Sequence, residues 1–298
     1  MISLRHVRVF LAVAEHGSTA AAARRLHVSQ PAVSVAIREL EALLGQPLFQ
    51  RQPAKGLTAT AFALEKLPEA RTLTAGFAAF TATGPVGGEP SGDVAFGYYA
   101  ALGPKYIPGI LRQMARRFPR ITITPVEADL EELDRLIDSG RVEVALAYHV
   151  RAGVHTIFER IAELPPYAVL PARHPLAQRK WVSVKELAAE PFILVDLPYS
   201  RDFLLSVFRS EGMEPRISYR ARSPEMVVGM VANGLGVSIL VTRAASDRSY
   251  DGKRVVRLPI AHTRIRQGVI LAWPSRSVPT APARALADCI RAYVSKSA

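Results

Sequence analysis

The chain of 298 residues is 49% hydrophobic and 21% charged, which excludes a fibrous or intrinsically disordered protein and predicts a globular one. At this length we expect two or three domains. The formal net charge of +12 is compatible with an acidic partner such as nucleic acid. However, residues 1–60 hold seven Lys or Arg against three Asp or Glu, a net of +4, so the remaining +8 is diffuse. Bulk charge therefore supports nucleic-acid binding only weakly.

The cellular setting follows from three absences in the sequence. Cys289 is the only cysteine, so no disulfide can form within the chain, which fits a reducing cytoplasm. The first residues, MISLRHVRVFLAVAEHG, place Arg and His among the apolar positions, unlike a signal peptide. Apolar runs of about 18 residues are absent, so we expect no membrane span. These features predict a cytoplasmic protein.

Two short helices are predicted at the N-terminus. Apolar residues recur at helical spacing over residues 4–14, which indicates an amphipathic helix that stops at Gly17. Ser18 is a suitable N-cap for a second helix that runs through four alanines to about Leu26. Alanines have small side chains, so this helix can pack closely against its neighbours.

A third helix is predicted between Ser29, as N-cap, and Gly45, with Pro31 in its first turn. Gln30, Ser34 and Arg38 are spaced four apart and form one polar stripe on this helix. Gln and Arg side chains can pair with adenine and guanine edges, and unpaired N–H groups at the helix start can hold a phosphate. The alternative is an ordinary solvated helix face.

The segment QPLFQRQPAKGLTAT after the third helix predicts a hairpin or loop that carries Arg51 and Lys55. Helix, short turn, capped helix and basic hairpin together predict a winged helix-turn-helix, whose second helix enters the DNA major groove. Residues 60–83 are again apolar-periodic, and Pro68 is expected to kink or split that helix. The Gly- and Pro-rich residues 83–92 predict a linker.

From residue 92 onward, strand-like and helical segments alternate in two similar βαβαβ units. This pattern predicts two α/β lobes, with a ligand cleft at the carboxyl ends of their strands. Eight residues are expected near that cleft: Tyr99, Ala100, Tyr148, Leu197, Tyr199, Ser200, Arg201 and Ser223.

Two of the expected cleft residues, Ser200 and Ser223, are predicted N-caps of helices, and a helix N-terminus can bind an anion. Arg201 could pair with a carboxylate at the same place. The alternative is that both serines only cap helices and that Arg201 pairs on the surface with Asp202 or another neighbour. A small organic acid is the ligand that the first interpretation predicts.

Catalytic and metal-binding patterns are missing from the sequence. The seven histidines form no HExxH motif, and Gly-x-Ser-x-Gly and phosphate-loop motifs are absent. Gly234 and Gly236 lie at a helix end, not between a strand and a helix as in dinucleotide-binding folds. We therefore expect no enzyme activity, no metal site and no cofactor.

Residues 18–51, STAAAARRLHVSQPAVSVAIRELEALLGQPLFQR, resemble the DNA-binding segment of LysR-type transcriptional regulators. The matching positions are an Ala-rich helix, the Ser-Gln-Pro-Ala-Val-Ser start of the third helix, a Leu-Glu pair, and Gly followed by Leu-Phe-x-Arg at the wing: Ala20–Ala23, Ser29–Ser34, Leu40–Glu41, Gly45, Leu48–Phe49 and Arg51. The resemblance implies that Ser29, Gln30, Pro31, Ser34 and Arg38 face DNA. It places Arg51 and Lys55 near phosphates.

The same resemblance implies an α+β multi-domain fold: an N-terminal winged helix-turn-helix, a linker helix, and a two-lobed α/β effector domain like periplasmic binding proteins. The expected bounds are residues 1–59, 60–90 and 91–298, with lobe I at about 91–161 plus 266–298 and lobe II at about 162–265. The implied partners are double-stranded promoter DNA, a small effector, a second copy of the chain in a dimer or tetramer, and RNA polymerase.

The sequence departs from the family pattern at the wing–linker junction, where neither Thr58 nor Thr60 is followed by the usual glycine. Pro68 also falls inside the expected dimerisation helix. Two other functions fit the two-lobed fold: an enzyme, or a solute-binding protein, with the helical N-terminus as an accessory.

Overall fold

A computed structural model describes residues 1–52, 56–81, 89–149, 156–275 and 278–297. The predicted fold class is confirmed: a winged helix-turn-helix, a linker helix and a two-lobed α/β domain follow one another along the chain. None of the helices in these ranges is both long and apolar enough to cross a membrane.

The N-terminal domain is built from three helices and a hairpin. Their bounds are α1 (Leu4–His16), α2 (Thr19–Leu26), α3 (Gln30–Leu44), β1 (Phe49–Gln52) and β2 (Gly56–Ala59). Ser18 and Ser29 cap α2 and α3 as predicted, and Gly17 and Gly45 end α1 and α3 in the left-handed conformation that glycine adopts without strain. Capping therefore fixes where α3 starts and stops.

The alanines of α2 pack against both neighbouring helices, as the sequence predicts. Ala22 and Ala23 are buried in one small core together with Phe10 of α1 and Val33 and Ile37 of α3. Because alanine side chains end at a methyl group, α2 can pack closely against both α1 and α3.

The antiparallel β1–β2 hairpin forms the wing. The Phe49 ring lies 5.8 Å from the Phe10 ring, which anchors the first wing strand to α1. The tip of the wing, residues 53–55, and with it Lys55, lies outside the described residues.

The linker helix α4 (Ala61–Thr81) runs without interruption through Pro68, so the prediction of a split helix is wrong. Pro68 has no N–H and leaves one carbonyl of the preceding turn without its helical partner. Packing offsets this lost hydrogen bond. Pro68 is buried against Gly140 of the effector domain, where an added Cβ would lie 3.3 Å from the Pro68 Cα. At the wing–linker junction, Thr60 and not Thr58 caps the start of α4, since its Oγ1 accepts the Ala63 N–H at 3.1 Å.

The effector domain alternates strands and helices. Its first part contains β3 (Gly92–Tyr99), α5 (Gly103–Arg117), β4 (Ile121–Ala128), α6 (Leu130–Asp138), β5 (Val144–Tyr148), β6 (Thr156–Leu164), β7 (Tyr167–Pro171), α7 (Val184–Ala189) and β8 (Pro191–Val195). Its second part contains α8 (Ser200–Arg209), β9 (Arg216–Ala221), α9 (Pro224–Ala232), β10 (Ser238–Leu240), β11 (Val255–Pro259), β12 (Gln267–Pro274) and α10 (Ala281–Ser297). Short helical turns at Ala100–Leu102 and Pro175–Gln178 complete it.

Lobe I is a five-stranded sheet in the order β4-β3-β5-β12-β6. The strands β3, β4 and β5 are parallel as predicted, whereas β12 runs antiparallel to β5 and β6. β6 stays in this sheet as far as Leu164, beyond the expected lobe boundary at residue 161.

Lobe II combines the antiparallel sheet β10-β7-β11 with the parallel pair β8-β9. The two parts are joined where Ile193 N–H donates to the Val237 carbonyl at 2.9 Å and Val237 N–H donates to the Pro191 carbonyl at 2.8 Å. The chain crosses between the lobes after β6 and again before β12, so the parallel strands of both lobes end at one cleft.

Candidate functional site: the third helix and the interlobe cleft

The polar stripe of α3 lies on the surface of the N-terminal domain. Gln30, Pro31 and Arg38 are exposed and Ser34 is half-buried, while the opposite side of α3 is buried in the core. Gln30 Nε2 donates to Thr19 Oγ1 at 3.3 Å, which places the amide across the start of α2. The stripe therefore presents amide, hydroxyl and guanidinium groups without contributing to the core.

Most backbone N–H donors at the start of α3 are engaged within the helix or absent. Ser29 Oγ accepts the Ala32 N–H at 3.4 Å, so the hydroxyl is engaged in capping. Pro31 removes one N–H that would have no helical partner. Val33 N–H donates to the Ser29 carbonyl at 3.2 Å, so few backbone donors at this helix start are left for a phosphate.

Glu41 holds the wing against α3, a role that the sequence did not reveal. Its Oε1 accepts the Leu48 N–H at 2.8 Å and the Phe49 N–H at 3.2 Å. This clamp fixes the direction of β1, on which Arg51 is exposed. In the sequence, Glu41 stands out only as part of the Leu40–Glu41 pair of the family pattern, which does not distinguish a clamp from a solvated carboxylate.

A cavity of about 730 Å³ lies between the two lobes. Lobe I contributes residues that follow its parallel strands, together with β12: Tyr99, Ala101, Pro104, Lys105, Tyr148 and Gln267. Lobe II contributes α8, α9, β7, β11 and a long segment between β10 and β11. This is the cleft that the alternation of strands and helices predicts.

Phenol groups of two tyrosines bridge the lobes at the cleft. Tyr99 shares a hydrogen bond of 2.7 Å with Ser200 Oγ, and Tyr148 shares a short one with Thr242 Oγ1. The two rings lie 5.2 Å apart, centroid to centroid. Burial raises the pKa of both phenols, so both stay neutral and serve as hydrogen-bonding groups. Tyr167 adds a third phenol, which donates to the Thr242 carbonyl at 3.0 Å.

The structure brings three of the eight predicted cleft residues into the cavity lining, namely Tyr99, Tyr148 and Ser200. The other five do not line it: Ala100, Leu197, Tyr199, Arg201 and Ser223. Ser223 caps α9 as predicted, and its successors Pro224 and Glu225 line the cavity instead.

Ser200 is not the N-cap of α8, contrary to the prediction. The cap position is Tyr199, which adopts a left-handed φ of 65° and has no side-chain cap bond. This backbone turn moves Ser200 into the first turn of the helix, where its hydroxyl meets Tyr99 instead of its own backbone. Tyr199 itself is exposed, and Leu197 is buried in the core.

Arg201 pairs with carboxylates on the surface, which is the second of the two interpretations of its sequence position. Its Nη1 lies 3.2 Å from a carboxylate oxygen of Asp196, and its Nε lies 3.7 Å from Asp202. Arg220 contacts the second carboxylate oxygen of Asp196, also at 3.2 Å. Arg201 is thus committed to carboxylates outside the cavity.

The cavity lining is rich in cations that the sequence did not single out. Lys105, Arg243, Arg248 and Arg257 line it, against one carboxylate, Glu225. Burial lowers the pKa of the Lys105 ammonium, and no carboxylate of the described residues forms an ion pair with it. An anion in the cavity would therefore be favoured by charge.

Within the described ranges, no group of three or more His, Cys, Asp or Glu side chains is placed to hold a metal ion. The cleft chemistry is that of a binding pocket: phenols, hydroxyls and cations around an apolar interior.

Two family models match the chain. Residues 4–64 match a bacterial regulatory helix-turn-helix protein of the lysR family, and residues 87–295 match a LysR substrate binding domain. Together they account for the N-terminal domain and both lobes.

Individual proteins match over nearly the full length. A hydrogen peroxide-inducible genes activator of Pectobacterium carotovorum subsp. carotovorum is 28% identical, with 98% of this chain and 97% of that protein covered. The crystal structure of HinK, a LysR family transcriptional regulator from Pseudomonas aeruginosa, is 31% identical with a TM-score of 0.68, covering 99% of this chain and 100% of HinK. CbnR, solved in full length with its target DNA, shares the fold at 23% identity and a TM-score of 0.60, covering 98% of this chain and 99% of CbnR.

The Glu41 clamp generates a prediction about the wing. Replacing Glu41 with Ala removes the acceptor of two backbone N–H groups, and hydrogen bonds to a charged group contribute about 1.5–3 kcal/mol each. We expect the Leu48 and Phe49 amides to exchange with solvent at least about 10-fold faster in hydrogen-exchange NMR or mass spectrometry.

Glu65→Ala is the matched control, because Glu65 is exposed on α4. It should leave the exchange of both wing amides unchanged. Unaltered exchange in Glu41→Ala would show that the wing does not depend on this carboxylate.

Proposed function

Because the chain belongs to the LysR family of DNA-binding transcriptional regulators, we propose that it binds a promoter palindrome as a homodimer or homotetramer and responds to a small organic acid between its lobes. The family consists of regulators, not enzymes. Acting on promoter DNA, the protein would work in the cytoplasm, with RNA polymerase as a further partner.

The exposed stripe of α3 supports the DNA contact. Gln30 and Arg38 are accessible side chains of the two types that make bidentate hydrogen bonds to adenine and guanine in the major groove. Ser34 lies between them at half-burial, and Arg51 on the wing is exposed beside the helix. We assign base contacts to Gln30, Ser34 and Arg38, and phosphate contacts to Ser29, Arg51 and Lys55.

The linker helix supports self-association. Leu73 and Phe80 lie seven positions apart on the same face of α4 and are exposed, Phe80 to 87%. Apolar side chains of this size on one helix mark an interaction surface, and a second α4 would cover them. A two-fold dimer places two copies of α3 about one DNA turn, or roughly 34 Å, apart.

The positive charge of the cleft lining is the observation from which we infer an acidic ligand. Four lining cations face one lining carboxylate in a cavity of about 730 Å³, which is large enough for an organic acid. Tyr99 and Tyr148 supply aromatic surface for an apolar body, while the cations favour a carboxylate. Because both lobes line the cavity, a bound acid would shift the balance between lobe arrangements and thereby change how DNA is held.

The DNA contact is tested by titrating the purified chain against the DNA upstream of its own gene. We expect Gln30→Ala and Arg38→Ala each to weaken binding by about 5- to 150-fold, as the loss of a bidentate base contact costs about 1–3 kcal/mol. The bound complex should contain two or four chains by light scattering.

Gln178→Ala and Arg112→Ala are the controls, since both residues are exposed in the effector domain and match the two changes in residue type. They should leave DNA affinity unchanged. Equal DNA affinity in all four variants would place the DNA contact elsewhere.

The ligand class is tested with benzoate, salicylate, cinnamate, succinate and glutarate, each beside its neutral amide. At least one acid is expected to change the DNA affinity or the footprint, while its amide has no effect, because the amide lacks the charge that the cleft cations attract. If every acid leaves both measurements and the melting temperature unchanged, the organic-acid proposal fails.

Peroxide sensing is a second candidate, suggested by the named activity of the Pectobacterium relative. Cys289 argues against it here. It is the only cysteine of the chain, it lies on α10 with 1% of its surface exposed, and burial raises the pKa of its thiol. Oxidation by peroxide requires an accessible thiolate, so this thiol is a poor sensor.

We therefore expect hydrogen peroxide to leave the DNA affinity of the wild-type chain unchanged, and Cys289→Ser to behave identically. The measurement is the same DNA titration before and after peroxide treatment. A peroxide response that Cys289→Ser abolishes would contradict this expectation.

A further inference from the structure

Arg257 is a buried cation in the cleft wall whose hydrogen bonding is incomplete. It lies on β11, its side chain is 2% exposed, and it lines the cavity. Nη1 donates to the Ser246 carbonyl at 2.7 Å and to the Asp247 carboxylate. Among the residues that the structure describes, none accepts a hydrogen bond from the Arg257 Nε.

An unpaired donor on a buried charged group is costly, and a guanidinium offers its donors in pairs that match the two oxygens of a carboxylate. Asp247 uses one donor only in this arrangement. The Asp247 side chain is 53% exposed, so water can solvate it readily if it leaves Arg257. Asp247 is thus a replaceable partner of a cation that can bind a carboxylate more completely.

Arg257 also interacts with the Tyr167 phenol of β7, but its partners Ser246 and Asp247 belong to one irregular segment, residues 241–254, which we call the cleft segment. It joins β10 to β11 without forming a helix or a strand. It supplies much of the lobe II lining: Val241, Thr242, Arg243, Ala244, Ala245, Ser246, Arg248, Ser249 and Tyr250.

Side-chain hydrogen bonds tie the cleft segment to its surroundings at three places. Arg257 holds Ser246 and Asp247, and Tyr148 and Tyr167 hold Thr242. The third place is Asn233 at the end of α9, which contacts Asp251 and Lys253. The first tie depends on a guanidinium that faces the ligand cavity. Occupation of that guanidinium by another carboxylate would therefore alter how the segment is held.

We propose that Arg257 is the carboxylate-binding residue of the cleft, and that the ligand carboxylate displaces Asp247 and so releases one tie of the cleft segment. The inference rests on the proposed response to an organic acid. It adds the residue that determines specificity and a regulatory exchange. Arg257 binds the Asp247 carboxylate when the cleft is empty and the ligand carboxylate when the cleft is occupied.

The exchange predicts effects of opposite sign for its two members. Arg257→Gln removes the charge and the paired donors, so the acid should bind at least about 10-fold more weakly. Asp247→Asn removes the competing charge but keeps Arg257, so the acid should bind more tightly, by about 3-fold or more. A residue with a purely structural role would weaken binding in both variants.

The measurement is isothermal titration of the full-length chain with benzoate, benzamide and the other four acids named above. Asp202→Asn is the control for Asp247→Asn, because Asp202 is an exposed carboxylate near an arginine outside the cavity lining. It should leave affinity unchanged. Hydrogen exchange in residues 241–254 should increase when the acid binds to the wild-type chain, and should be raised in Asp247→Asn without acid.

The outcomes separate the two proposals. If an acid binds the wild-type chain and binds Arg257→Gln and Asp247→Asn equally well, Arg257 is not its site, while the organic-acid response stands. If none of the acids binds the wild-type chain, the organic-acid response fails and this inference fails with it. If circular dichroism shows that Arg257→Gln is unfolded, Asp247→Asn decides alone, and unchanged or weaker binding overturns the exchange.

Discussion

The phenol bonds across the cleft are the interaction on which the effector domain depends. Tyr99 and Tyr148 belong to lobe I and end parallel strands, whereas their partners Ser200 and Thr242 belong to lobe II. Each neutral hydrogen bond of this kind contributes only about 1 kcal/mol net. The lobes are thus held in register by contacts that a ligand can replace, and binding energy of a few kcal/mol is sufficient to shift such an equilibrium strongly.

Local signals in the sequence were sufficient to predict the DNA-binding end. The caps Ser18 and Ser29, the stops Gly17 and Gly45, and the buried periodicity of α3 all act within a few residues. The Glu41 clamp could not be predicted in the same way, because its partners are backbone N–H groups seven and eight residues away, beyond the end of the helix.

The cleft was predicted less completely, for a topological reason. Tyr99 and Tyr148 lie at carboxyl ends of parallel strands, where sequence order alone indicates the position of a side chain. The residues after β8 do not follow sequence order in this way, because Tyr199 has a left-handed backbone that redirects the chain. Arg257 lies on an antiparallel strand whose pairing with β7 spans some ninety residues, so no local pattern points to the cavity.

The linker helix connects the two functional regions physically. Arg71 of α4 is largely buried, and burial, together with nearby Arg141 of the effector domain, lowers its pKa, while Glu15 of α1 opposes that shift. Gly140 adjoins both Pro68 and Arg71: a Cβ there would lie 3.1 Å from Arg71 Cδ. A rearrangement of lobe I therefore meets the same helix that packs against the N-terminal domain.

The separation of faces on α3 has an evolutionary consequence. Positions 30, 34 and 38 carry no core side chain, whereas Val33, Ile37 and Leu40 carry the packing. Because the proposed base contacts lie on this stripe, mutations there would alter operator recognition without a penalty in foldability. Gene duplicates with this domain can consequently diverge toward new promoters one exposed residue at a time, while the alanine-packed scaffold stays constant.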